Sequence, residues 1–103
     1  MSINNEIKEL DRNCCRVIGC RSPYLQVHHL IPKGFVESTN TPDNLISLCE
    51  THHTKINMGQ LTSMEILKPM LNFPDFRWNK AYEWHLSKQI IKNVKKEIFG
   101  DTK

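Results

Sequence analysis

Apolar residues recur at different intervals along this 103-residue chain, and each interval predicts a different element. Ile3, Ile7 and Leu10 follow a helical spacing, so a short amphipathic helix is predicted over 3–12. Residues 14–23 show no period and are turn-rich, with Gly19 just before Cys20. From 24 to 30 the pattern alternates enough for a strand, with Leu25 and Val27 on one face. Pro32 and Gly34 break it, and residues 33–43 form a polar loop rich in Ser, Thr, Asn and Pro. A short apolar strand follows at 45–48, and Gly59 offers a stop for a helix running from about 50 to 58. The middle of the chain therefore reads strand, loop, strand, helix.

Beyond Gly59, Thr62 and Glu65 form a possible capping box for a short helix that Pro69 should terminate. Residues 72–77 read as a loop. One long amphipathic helix is predicted from about 78 to 99, with Leu86, Ile90, Ile91, Val94 and Ile98 on one arc. Lys88, Lys92, Lys95 and Lys96 share the opposite arc, which reads as a solvated face or, more sharply, as a surface that tracks phosphates. Trp78, Tyr82 and Trp84 are expected in the core rather than on a base-stacking platform, and His85 is expected to be structural or superficial.

The length suits one small α+β domain with a modest core, a size that often relies on a metal or disulfide staple. No run of 18 apolar residues predicts a membrane helix, and the first residues lack the basic and apolar regions of a signal peptide. A cytoplasmic setting is therefore expected, where four cysteines read as metal ligands sooner than as disulfides. Net charge is +3, but residues 77–103 hold seven basic and three acidic side chains, or +4, leaving −1 for residues 1–76. That asymmetry points to an anionic polymer as partner, or to a solubilising tail.

Two sets of ligand-type side chains share the central segment. Cys15-x4-Cys20 and Cys49-x2-His52 pair soft and borderline donors in the way tetrahedral zinc favours. Cys14 is an alternative to Cys15 at x5 spacing. The bland reading makes all four cysteines small buried apolar residues. The second set is His28, His29, Asn44 and His53. Consecutive histidines at a strand end point to opposite sides, so one can hold a metal while the other acts as a general base. His53 follows His52 and must point elsewhere, toward the strand pair, with Asn57 one turn later on the same face. Asn44 alone would be ordinary turn chemistry beside Asp43.

The two "HH" pairs with Asn44 between them resemble the HNH nucleases, whose active-site module is the ββα-metal finger, and the cysteine pairs resemble its zinc-stapled branch. The resemblance covers about residues 14–58, within a single nuclease domain whose C-terminal helical extension would be residues 60–103. It implies that His28 and His53 ligate the catalytic metal, that His29 is the general base, and that Asn44 pins the loop and strand orienting His29. It implies structural Zn2+ on Cys15, Cys20, Cys49 and His52. Many members carry Asp where this chain has His28, so the catalytic ion has two imidazoles and no carboxylate. Such a site suits Mn2+, Co2+, Ni2+ or Zn2+ as well as Mg2+. Lys33 and Lys55 flank the site and are candidates for phosphate contacts, as is Asn57 for metal or phosphate.

The expected activity is metal-dependent hydrolysis of DNA, taken as double-stranded, by a monomer that nicks or a homodimer that cuts both strands. The rival readings are a zinc-stabilised nucleic-acid-binding module without catalysis, and an RNase or toxin-type nuclease.

Overall fold

The computed structural model describes the backbone of residues 3–99 and the side chains of residues 3–89. Helix α1 spans Ile3–Leu10, two residues shorter than the periodicity predicts. It ends where Arg12 and Asn13 take left-handed backbone angles, φ 59° and 54°. There the Asn13 N–H donates to the Lys8 carbonyl at 2.8 Å and the Arg12 N–H to the Glu9 carbonyl at 3.0 Å. This reversal closes the helix with the Lys8 and Glu9 carbonyls satisfied. It also turns Asp11 inward, where it is fully buried.

Strands β1, Leu25–His29, and β2, Leu45–Cys49, pair antiparallel, with His28 opposite Ile46 and His29 opposite Leu45. All of β2 is buried, whereas β1 keeps a partly exposed face. β1 is one residue shorter at each end than predicted, and β2 one residue longer. Helix α2, Glu50–Asn57, follows β2 without a loop. Gly59 ends it as expected: its φ of 75° suits glycine, and Gly59 and Gln60 donate to the carbonyls of Ile56 and Lys55 at 3.1 and 2.8 Å.

Helix α3, Ser63–Leu67, starts on the predicted capping box: the Glu65 N–H donates to Thr62 Oγ1 at 3.2 Å, and the Thr62 N–H donates to Glu65 Oε1 at 3.3 Å. The α-helix stops before Pro69, but the chain continues as a 3-10 turn over Lys68–Met70. Helix α4 spans Asn79–Phe99. Its proposed amphipathic division rests on Ile90, Ile91, Lys92, Val94, Lys95, Lys96 and Ile98, whose side chains lie outside the described residues. Within them, Lys88 departs from a purely solvated role: its Nζ lies 5.6 and 5.2 Å from the ring centroids of Phe35 and Trp84.

Leu30, Ile31, Ile46, Leu48, Ile66, Leu67, Met70, Trp78 and Ala81 form the core, between the sheet, α3 and the start of α4. Trp78 is fully buried, while Tyr82 and Trp84 only flank the core. A polar strut crosses it. Asp11 accepts from the Ser47 N–H and from Arg77 Nη1, each at 2.8 Å. Arg77 also donates to the carbonyls of Pro42 and Leu45, and stacks 4.2 Å from the Trp78 ring. α1, β2 and the approach to α4 thus converge on one carboxylate. No helix of the described residues is long and apolar enough to cross a membrane.

Candidate metal centre and histidine cluster

Two turns and one helix start bring the soft donors together. Gly19, at φ 87°, lets the chain fold back so that the Cys20 N–H donates to the Val17 carbonyl at 2.9 Å. This knuckle is held to the sheet by Arg16, whose N–H donates to the Ser47 carbonyl at 3.0 Å. Cys49 ends β2 and is the N-cap of α2, which places His52 one turn along on the same side. One ligand atom from each of Cys15, Cys20, Cys49 and His52 lies within 4.8 Å of all the others. His52 Nδ1 is 3.2 Å from Cys49 Sγ and 3.5 Å from Cys15 Sγ, and Cys20 Sγ is 3.9 Å from Cys49 Sγ.

A tetrahedral zinc ion with its usual bond lengths has ligand–ligand edges of about 3.6–3.8 Å. The donor set and its spacing therefore fit a structural metal such as zinc. Cys14 stands apart, donating to the Asp11 carbonyl at 3.5 Å. Burial pushes the Cys15 thiol up to about 11. Burial also opposes ionisation of Cys49, yet hydrogen bonds from the His52 backbone, the Cys20 and Cys15 thiols and the Thr51 backbone draw it below the ordinary thiol range. A bound cation favours the thiolate in both, because the thiolate is the ligand form.

The second set assembles where β1 meets α2. The His28 and His53 rings meet edge to face with centroids 5.3 Å apart. Two imidazoles that share one ion at a tetrahedral angle have centroids about 5 Å apart, given their usual bond lengths. Burial, with His53, His29 and His85 nearby, lowers His28 to about 4. It is therefore neutral at neutral pH, with a nitrogen lone pair free to bind a cation.

His29 turns to the other side of β1. Its Nε2–H donates to Asn40 Oδ1 at 2.7 Å. A neutral ring with its proton on Nε2 leaves Nδ1 as the proton acceptor. Asn40 was not among the predicted site residues, because it lies in the polar loop with no spacing to mark it.

Asn44 is almost fully buried. Its Oδ1 accepts from the Ile31 N–H at 2.7 Å, and its Nδ2 donates to the Thr39 carbonyl at 2.9 Å, to Ser38 Oγ at 3.3 Å and to the Ile31 carbonyl at 3.4 Å. One amide thereby ties both ends of the loop together. Lys33 and Lys55 are exposed on the loop and on α2, and Asn57 is exposed at the end of α2. His85, expected to be structural or superficial, is half-buried and donates from Nε2 to the Leu30 carbonyl at 2.6 Å. Its burial lowers it below the ordinary histidine range, against the opposing effect of that hydrogen bond.

The site therefore pairs a closed thiol-rich cluster with an open cluster of imidazoles, joined by the first turn of α2. No curated protein and no solved structure gave a match to the chain. Residues 15–62 match the family model described as HNH endonuclease. That segment holds the four-donor cluster, both strands and α2, and it is in this segment that the chain is similar to the HNH endonucleases.

Proposed function

We propose that this protein is a metal-dependent DNA endonuclease. The observation that carries the reading is the edge-to-face pair of His28 and His53, 5.3 Å apart, beside a His29 whose free nitrogen is selected by Asn40. In this reading His28 and His53 hold one catalytic divalent ion. Cys15, Cys20, Cys49 and His52 hold structural zinc. His29 is the general base.

The chemistry follows from these placements. His29 Nδ1 takes a proton from water, whose oxygen attacks phosphorus as the bond to the 3′ oxygen breaks. The departing oxygen takes a proton from solvent water, and a 5′ phosphate and a 3′ hydroxyl result. The divalent ion, when bound, neutralises charge on the phosphate and on the departing oxygen. Asn44 keeps the strand end and the loop in register, so that His29 faces the phosphate. Lys33 and Lys55 are exposed, and in this reading they contact flanking phosphates. No step uses a 2′-hydroxyl, which suits DNA. One such site cuts one strand, so a monomer nicks and a homodimer can cut both.

A plasmid-nicking assay with a panel of divalent ions tests the reading, run beside His29→Ala. Wild type should nick, and the variant should lose roughly 100- to 10,000-fold in rate with its fold and metal content intact. Full activity in the variant would sink the mechanism.

A further inference from the structure

The backbone that follows His29 presents four buried polar groups in succession. The Leu30 N–H donates to the Asn44 carbonyl at 2.9 Å. The Ile31 N–H donates to Asn44 Oδ1 at 2.7 Å, and the Ile31 carbonyl accepts from Ser38 Oγ at 2.7 Å. Those three are satisfied by residues of the segment that matches the family. The fourth, the Leu30 carbonyl, is served from outside it, by His85 on α4 at 2.6 Å. Leu30 is 1 % exposed, so water is a poor substitute partner there.

A second contact reaches the same loop from the same turn of helix. The Trp84 ring meets Phe35 at 4.8 Å and His85 at 4.9 Å. Lys88 lies over both Phe35 and Trp84. Residues 84–88 of α4 therefore grip the active-site loop at two points, one by a hydrogen bond and one by ring packing.

We infer that His85 is a positioning residue of the histidine site: by holding the Leu30 carbonyl it sets the backbone that aims His28 and His29. The extension beyond the family segment is then part of the working site. This rests on the nuclease reading only for its effect on rate, because the clamp itself is a property of the DNA-free protein.

The test uses the full chain loaded with zinc, with His85→Leu and His85→Gln beside wild type. The Gln amide N–H can reach as far from the backbone as the ring Nε2–H, so it can restore the hydrogen bond, whereas Leu cannot. In His85→Leu, kcat for plasmid nicking should fall roughly 10- to 100-fold while KM moves less than about twofold, since a small misplacement of reacting groups acts on the chemical step. His85→Gln should recover most of kcat. Amide hydrogen exchange at Leu30 and Ile31, measured without DNA, should quicken in His85→Leu and return toward wild type in His85→Gln. Unchanged exchange, full kcat in His85→Leu, or equal losses in both variants would overturn the inference. If wild type cleaves nothing with any ion, the nuclease reading fails, and the exchange measurement alone decides whether His85 holds the strand end.

Discussion

Replacing Asn44 by Asp gives the sharpest test of how the loop is held. The two faces of the Asn44 amide are not interchangeable. Oδ1 accepts from the Ile31 N–H at 2.7 Å, and Nδ2 donates to the Thr39 carbonyl at 2.9 Å. A protonated carboxyl can reproduce both bonds. An ionised one cannot: it sets a charged oxygen against two carbonyls in a site that is 2 % exposed. Burial and the facing carbonyls thus raise the folded-state pKa of the new group above its unfolded value of about 3.9. The sign follows. The variant stays close to wild type below that unfolded value and loses stability as pH rises toward the raised folded value. Each pKa unit of separation adds about 1.4 kcal/mol to the deficit at neutral pH, so a separation of two to three units costs roughly 3–4 kcal/mol. Asn44→Ala, which leaves the Ile31 N–H and the Thr39 carbonyl without this partner, should cost about 2–4 kcal/mol with little dependence on pH. Urea unfolding of zinc-loaded wild type and both variants, in matched buffers from pH 5 to 8, reads the differences, so that zinc-linked protonation common to all three cancels. A pH-independent gap between Asn44→Asp and wild type, or no gap at pH 7, would refute this account of the loop.

Other outcomes follow from the same geometry. Purified protein should carry about one tightly held zinc per chain; Cys49→Ser should lose it along with cooperative melting, because a structural metal site contributes folding free energy. Cys14→Ser should keep the zinc and shift stability by less than about 1 kcal/mol, since its thiol makes one weak bond; loss of zinc there would reassign the ligand. In cleavage assays manganese, cobalt or nickel should serve at least as well as magnesium, and His28→Asp should move the preference toward magnesium; an unmoved preference would remove His28 from the ion. Asp11→Asn should cost about 3–5 kcal/mol in urea unfolding, because Ser47 and Arg77 donate to different oxygens of Asp11 and the amide puts an NH2 donor in place of one of them; a loss below about 1 kcal/mol would show the strut to be dispensable.

The parts of the fold written in local chemistry were legible beforehand. The capping box at Thr62 and Glu65, the glycine stop at Gly59 and the alternation that marks β1 each involve residues within a few positions of one another. The paired donors around residues 15–20 and 49–52 were legible for the same reason, since each pair converges through one turn. What escaped notice depends on distance in the chain. Asn40 reaches His29 across 11 positions, His85 reaches Leu30 across 55, and Arg77 reaches Asp11 across 66. No periodicity records such meetings. Helix α1 ends before its helical spacing does, because that spacing cannot announce that Arg12 and Asn13 turn left-handed.

His52 and His53 occupy consecutive positions in the first turn of α2, one beside the thiols and the other beside His28. The same turn begins at Cys49, the N-cap of α2. In the proposed reading this imposes an order of maturation. Zinc would come first, because the turn it staples also carries His53 to His28, and the catalytic ion would find a paired site afterwards. A freshly synthesised chain would then be harmless to the genome of the cell that makes it until it has drawn zinc from the cellular pool. Metal supply would govern when cutting begins.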